Sequence, residues 1–221
     1  MPGYFRIIKK QRLFIVLALA SFFLLSLPQP AAAQTEPSYA LNFYRLECIT
    51  ETGKTRLGSD EPYVLILTAD LSTGLIQQLL NQVFSDVDSG ESRNHTIRLW
   101  PLIHDRTKLS NMIFLVAILE NDRSNTNNIV EFSTLKYVRK NLLTYVKLGH
   151  TRQKISELMR ADMKEAIDAV RKGDTFIAEP QEVRITGADL GQANSGTSIK
   201  KIIAGTGGES HYRAYFELMR Y

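Results

Sequence analysis

The sequence predicts a mainly β domain of the α+β class, an antiparallel β-sandwich with an inserted helical hairpin. Two observations support this fold class. Segments with the two-residue period of strands, or with short continuous apolar runs, occur on both sides of the middle of the chain. Between them, at about residues 134–172, apolar residues recur every three or four positions, which indicates helices. With 221 residues, 44% of them hydrophobic, the chain can bury the core of one such domain.

Residues 1–33 have the pattern of a signal peptide. Four basic residues stand before an apolar run from Leu13 to Leu27, namely Arg6, Lys9, Lys10 and Arg12. Small residues at 31–33 follow as an A-x-A cleavage site. We therefore expect a domain of residues 34–221 that is exported to the periplasm or the extracellular space. An uncleaved signal anchor is the alternative.

The formal net charge of +4 lies in that leader, because no acidic residue occurs before Glu36. The 23 basic residues after the leader balance the 23 acidic ones, so the predicted domain is formally neutral. A neutral domain lacks the basic excess that sequence-independent nucleic-acid binding requires. Residues 191–198 have P-loop spacing but put Thr197 where the phosphate-binding lysine belongs. We expect neither a nucleic acid nor a nucleotide as partner.

Four strands are predicted in the first half of the chain. Tyr39 to Ile49 and His95 to Leu99 alternate between two faces, as half-buried strands do. Tyr63 to Thr68 and Asn111 to Leu119 are compact apolar runs, typical of strands buried on both faces. Residues 73–84 place leucine and isoleucine at helical spacing, so a short helix is predicted there.

The helical hairpin comes next. Gly149 and Gly173 each follow an amphipathic segment where a helix commonly ends on glycine, and Thr151 can cap the second helix. We expect the pair to lie on the sheet, because its polar faces carry charges of both signs. Insertion of the hairpin into a membrane is the alternative.

Strand character returns after the hairpin. Phe176 to Thr186 is a predicted strand in which Pro180 marks an edge or a bulge. Residues 187–210 predict a long loop that contains one short strand, Ile199 to Ile203. His211 to Tyr221 alternates as a terminal strand, which gives six or seven strands in all.

Two acidic segments are the most distinctive motifs, GSDEPYV at 58–64 and AILEND at 117–122. They resemble the SDPYV segment and the second acidic strand end of C2 domains, the calcium-dependent membrane-binding β-sandwiches. The resemblance implies a C2-like sandwich with calcium as cofactor, held by oxygen ligands of Asp60, Glu61, Glu120 and Asp122. The Leu-x-Cys strand followed by SDEPY is also similar to a family of uncharacterised secreted bacterial proteins.

Local turn chemistry also accounts for the first acidic segment. Ser59 and Asp60 can close a turn, and Pro62 can stiffen the start of the strand that follows. Glu61 is moreover an insertion relative to the C2 segment, and Glu120 stands where that family usually has aspartate. A calcium site and a plain turn thus remain the two interpretations of this segment.

The remaining reactive residues give no recognisable catalytic motif. Cys48 is the only cysteine, which excludes an intramolecular disulfide, and its strand position predicts burial. The four histidines, at positions 95, 104, 150 and 211, are scattered in sequence. We expect an exported domain that binds an unidentified protein, a glycan or a membrane surface, assisted by calcium. The alternatives are a secreted hydrolase with a histidine–carboxylate site and a membrane-active effector module.

Overall fold

Two four-stranded antiparallel sheets and a helical hairpin form three layers. The computed structural model describes residues 39–51, 61–102, 108–121, 126–171, 173–207 and 210–220, so the predicted signal peptide lies outside the described residues. The described strands are β1 Tyr39–Thr50, β2 Pro62–Asp70, β3 Leu75–Val83, β4 Ser92–Trp100, β5 Met112–Glu120, β6 Thr175–Glu182, β7 Ile199–Gly207 and β8 Ser210–Arg220. The described helices are α1 Thr126–Lys147, α2 Arg152–Asp168 and α3 Gly187–Asn194, with a 3₁₀ turn at Leu109–Asn111.

The strands divide into two sheets in which every neighbouring pair is antiparallel. The outer sheet has the order β4-β1-β8-β7, and the central sheet has the order β3-β2-β5-β6. This architecture confirms the predicted α+β sandwich with a helical hairpin. The described residues contain eight strands, against the six or seven that the sequence pattern predicts.

The central sheet is covered on both faces. Every residue of β2 is buried, and in β5 only Glu120 is partly exposed. Val64, Ile66 and Phe114 face the outer sheet in one apolar cluster. The alternate residues of the same strands, such as Leu65 and Leu115, lie in a second cluster with the hairpin. Burial on both faces explains why these strands are continuous apolar runs in the sequence.

The hairpin covers the central sheet with one face of each helix. Val138 of α1 and Met159 of α2 are fully buried in the cluster that they share with the sheet. Gly149 has a positive φ of 70° after α1, and the Thr151 side chain accepts a hydrogen bond from the Lys154 backbone N–H. The predicted hairpin is therefore confirmed, although α1 begins at Thr126, earlier than the predicted start near residue 134.

The helix predicted over residues 73–84 is wrong. Residues Leu75–Val83 form β3, which pairs along its whole length with β2, for example Leu67 with Leu79. Leucine and glutamine favour helices, but β2 has a second row of backbone groups that only another strand can satisfy. Tertiary pairing outweighs local propensity at this position.

The long loop predicted over residues 187–210 is also wrong in part. Gly187–Asn194 is helix α3, opened by a capping box in which Thr186 and Asp189 exchange side-chain-to-backbone hydrogen bonds. The glycines within α3 hide it from a propensity argument. The predicted short strand is β7, which extends to Gly207. Pro180 lies in the edge strand β6 beside a register shift, as predicted.

The two sheets meet closely where their edge strands β6 and β7 approach each other. A Cβ atom at Gly205 would overlap the carbonyl oxygen of Ile177 and lie 2.6 Å from the Cα atom of Ala178. The Gln181 side-chain amide donates to the carbonyl of Ala204 at 3.2 Å, across the same gap. Only glycine leaves room for backbone to pack on backbone at this distance.

Gly205→Ala is therefore expected to lower the free energy of unfolding by about 3 kcal/mol, because the obstructing atoms belong to the backbone and cannot rotate away. Gly191→Ala is the matched control, since a Cβ there meets nothing within 4 Å and alanine favours a helix. Urea denaturation of both variants checks the pair. A Gly205→Ala variant as stable as the wild type would contradict the close approach.

Candidate functional site

Two of the four predicted calcium ligands lie in the described structure, at one end of the central sheet. Glu120 ends β5 and pairs in register with Pro62, directly after Glu61. Asn121 donates through its backbone N–H to the carbonyl of Glu61 at 3.1 Å and through its side-chain amide to the Glu61 carboxylate at 3.2 Å. Asp60 and Asp122 lie outside the described residues. The structure thus brings Glu61 and Glu120 to neighbouring strand ends.

The described part of this sheet end does not by itself hold a metal site. Across residues 39–51, 61–102, 108–121, 126–171, 173–207 and 210–220, no three histidine, cysteine, aspartate or glutamate side chains gather closely enough to bind one ion. The calcium hypothesis depends on Asp60 and Asp122 joining the two glutamates. It stays a prediction, and we return to its test below.

A buried tyrosine–aspartate pair lies behind the same sheet end. The Tyr63 hydroxyl donates to Asp174 Oδ2 at 3.0 Å, and both residues are fully buried. Burial, together with the charge and hydrogen bond of Asp174, raises the pKa of Tyr63 far above its ordinary value. Arg171 donates to the carbonyl oxygen of Asp174 at 2.7 Å. These bonds hold the link from α2 to β6 in place. No sequence motif predicts them.

In the described ranges, no histidine is bonded to a carboxylate. His95 lies edge-on to Phe84, and His150 lies beside Tyr145. Neither these two nor His211 hydrogen-bonds or forms an ion pair with any carboxylate in the described ranges, and His104 lies outside them. Cys48 is fully buried in the core between the sheets, as predicted.

The outer face of α1 combines exposed apolar and basic side chains. Three apolar side chains on it are solvent-exposed, Ile129 by 48%, Phe132 by 70% and Leu143 by 40%. Four exposed basic residues alternate with them on the same side of the helix, Lys136, Arg139, Lys140 and Lys147. We call these seven residues the cationic face.

The cationic face carries charge of one sign. Glu131 is the only acidic residue of α1, and it is half-buried on the opposite side of the helix. The expectation that the polar faces of the hairpin mix both signs is therefore wrong for α1. It is correct for α2, where Lys154 and Glu157 pair, as do Lys164 and Asp168.

Sequence reasoning missed the cationic face because it placed the start of the helix near residue 134. That start left out Ile129 and Phe132, the two most exposed apolar residues of α1. The signal was present, since positions 129, 132, 136, 139 and 143 follow the helical period on the face opposite Val138. No helix in the described ranges combines the length and the hydropathy needed to cross a bilayer.

The inner face of α1 holds the helix in place. Val130, Val138 and Leu142 are fully buried against the central sheet. Asp162 of α2 adds a polar clamp, because its Oδ2 accepts hydrogen bonds from the Asn141 amide at 3.1 Å and from the Tyr145 hydroxyl at 2.9 Å. The cationic face is thus presented by a helix whose other side is anchored.

The ionisation of the clamp is set by its burial. Desolvation raises the pKa of Asp162 above its ordinary value, although the bonds from Tyr145 and Asn141 act in the opposite direction. Burial, and then the hydrogen bond to Asp162, raises the pKa of Tyr145 to about 12. The charged form of Asp162 is therefore less favourable in the folded chain than in the unfolded one.

Comparison of the chain with models of known protein families, with curated proteins and with solved structures gives no match. Any functional assignment therefore depends on the geometry of the chain itself.

The clamp predicts a pH dependence of stability. Asp162 binds its proton more tightly in the folded state, so the free energy of unfolding falls as pH rises above the ordinary carboxyl pKa of 3.8 and levels off above the raised value. Asp162→Asn should remove this fall, whereas Glu157→Gln on the exposed side of α2 should keep it. Urea denaturation across this pH range measures the difference. Parallel curves for wild type and Asp162→Asn would contradict the argument.

Proposed function

We propose that this chain is an exported binding domain that attaches to the surface of an anionic membrane through the cationic face of α1. The observation that carries the proposal is Phe132, 70% exposed on a helix face whose exposed charges are all basic. A membrane surface was one of three expected partner classes, beside a protein and a glycan. The cationic face favours the membrane over the other two.

The chemistry of the face matches the interface of an anionic bilayer. Apolar side chains on such a helix enter the boundary between headgroups and acyl chains, while lysine and arginine stay at the level of the phosphates. Each basic residue near an anionic surface contributes about 1 kcal/mol of binding free energy, so the four of this face contribute roughly 4 kcal/mol. Burial of the apolar residues adds to that sum.

Binding in the plane of the interface requires no rearrangement of the fold. The inner side of α1 is buried on the sheet, so the helix can remain folded while its outer side meets lipid. This geometry differs from insertion of the whole hairpin, which would expose Val138 and Leu142. We therefore favour peripheral attachment over a membrane-inserting effector.

Sedimentation with vesicles tests the proposal. Residues 34–221 are suitable for it because Pro37–Tyr221 is one compact unit and the apolar leader would itself bind lipid. We expect binding to phosphatidylcholine vesicles that contain phosphatidylglycerol, little binding without it, and weaker binding as salt rises. Equal binding to both kinds of vesicle would contradict an electrostatic attachment.

Charge variants locate the surface. Removal of three basic residues from the face, as Lys136→Gln, Arg139→Gln and Lys140→Gln together, is expected to reduce the partition coefficient about 100-fold, because three contributions of about 1 kcal/mol are lost. The control removes three exposed basic residues elsewhere, as Lys154→Gln, Arg160→Gln and Lys200→Gln together. Equal losses in both variants would show that net charge acts without a defined face.

A pair of apolar variants separates the contribution of apolar insertion to vesicle binding from the contribution of charge. Phe132→Ala should weaken vesicle binding while the melting temperature stays unchanged, because that side chain is largely exposed in the folded chain. Ile202→Ala is the control, since Ile202 is 51% exposed on β7 of the outer sheet and does not belong to the cationic face. Vesicle binding that is insensitive to Phe132→Ala would remove the apolar part of the proposal.

We propose, as a more specific form of this function, that calcium bound at a C2-like site assists the attachment. Glu61 and Glu120 support it by lying at neighbouring strand ends. Glu120 also precedes α1 by only a short stretch of chain, so a cation bound there would lie close in sequence to the start of the cationic face. Two further carboxylates from Asp60 and Asp122 would complete an oxygen-rich ligand set.

A thermal melt with calcium tests the metal form separately. A ligand that binds only the native chain raises its melting temperature, so millimolar calcium should raise it for the wild type but not for Glu61→Gln with Glu120→Gln. Sodium chloride of equal ionic strength is the control. Absence of any rise would remove calcium from the account and leave the cationic face untouched.

A further inference from the structure

We propose that a cavity near the start of α2 binds a small organic anion, a phosphate ester or a carboxylate with a short apolar group. The cavity has a volume of about 300 Å³ and lies among the 3₁₀ turn, the first residue of α2 and the first residue of α3. Arg152, Arg184, Ser110 and Thr186 supply its polar groups. It is distinct from the cationic face, which none of these residues belongs to.

Arg152 is held in position by the protein. Its guanidinium donates to the carbonyl of Met112 at 2.9 Å and contacts Glu182 Oε1 at 2.5 Å. Glu182 is itself fixed by the hydroxyl of Ser156, which donates to its other carboxylate oxygen at 2.6 Å. A guanidinium has five N–H donors, so these contacts orient the group and leave donors for a ligand in the cavity.

Arg184 adds a charge that the described structure does not balance. Its side chain is exposed and forms no hydrogen bond or ion pair with a residue in the described ranges. Among the described residues, the lining of the cavity therefore supplies two guanidinium groups, of which Arg152 is paired with Glu182. Arginine pairs suit carboxylates and phosphates because each planar fork can donate two parallel hydrogen bonds.

The start of α3 supplies a further donor. The capping box uses the backbone N–H groups of Thr186 and Asp189. The backbone N–H of Gly187, the first residue of the helix and part of the cavity lining, has no acceptor within the helix. The charge of Asp189 is compensated by Lys201, whose ammonium lies 2.7 Å from its carboxylate. A helix start next to two arginines strengthens the attraction for an anion.

The remaining wall selects for an organic ligand. Leu109, Met112 and Ile185 line the apolar part of the cavity. Its volume is at the lower end of the range for ligand pockets, about 300 to 1,000 Å³, so the ligand is small. A small ligand matches both halves of the lining if its anionic group lies at the arginines and its few carbon atoms lie against the apolar wall.

Isothermal titration of residues 34–221 with butyl phosphate tests the site, with inorganic phosphate for comparison and chloride at equal ionic strength. We expect saturable binding of butyl phosphate that is tighter than that of inorganic phosphate. Arg184→Gln should weaken it about tenfold or more, because a charge-assisted hydrogen bond to the phosphate is lost. Arg160→Gln, which removes the same charge from an exposed position on α2, should leave the affinity unchanged.

The same chemistry occurs in lipid headgroups, so phosphatidylglycerol vesicles form a second arm. If soluble butyl phosphate does not bind but Arg184→Gln lowers vesicle binding more than Arg160→Gln does, the site takes a phosphate of a lipid. If neither arm separates Arg184→Gln from Arg160→Gln, the inference is overturned. This result is independent of Phe132→Ala, which tests the cationic face.

Discussion

The burial of the central sheet on both faces is the constraint on which the rest of the structure depends. β2 and β5 expose almost no side chain, so water must be excluded from two sides of the same strands. The outer sheet covers one side and the helical hairpin covers the other. Hydrophobic burial of this extent is the largest favourable contribution to folding, and it fixes which side of α1 faces inward.

Because the inner side of α1 is committed to the sheet, its outer side is free to serve another purpose. Folding does not require Phe132 or Ile129 to be apolar, since both remain exposed in the folded chain. An exposed apolar group of this kind, surrounded by basic residues, is typical of an interaction surface. Fold and proposed function therefore use opposite sides of one helix, held by the Asp162 clamp.

The sequence predicts those elements whose pattern is set by the core. The apolar runs of β2 and β5, the alternation of β8 and the helical hairpin were all visible, because burial dictates the residue type at each position. β3 is not among them, because its leucines and glutamines also suit a helix, and its strand conformation is decided by backbone hydrogen bonds to β2 across the turn at residues 71–74. α3 was hidden by its glycines and depends on the cap at Thr186.

The candidate sites were less accessible to sequence reasoning. Prediction of the cationic face requires the correct start of α1 at Thr126. It also requires the exposure of each side chain, which cannot be derived from the sequence of one helix alone. The arginine cavity brings together Arg152 and Arg184, which lie on different elements, so only the folded chain places them side by side. The acidic motif gave Glu61 and Glu120 as neighbours, and Asp60 and Asp122 lie outside the described residues.

Thiol labelling in the native chain tests most directly whether α1 is anchored on one side and open on the other. Cys48 is the sole native cysteine and is fully buried, so it provides an internal reference. In folded protein we expect a maleimide to react rapidly with the Phe132→Cys variant, and to react with Cys48 and with Val138→Cys only after denaturation. Equal labelling of Phe132→Cys and Val138→Cys, or rapid labelling of Cys48 in the native wild type, would contradict the three-layer structure and the surface derived from it.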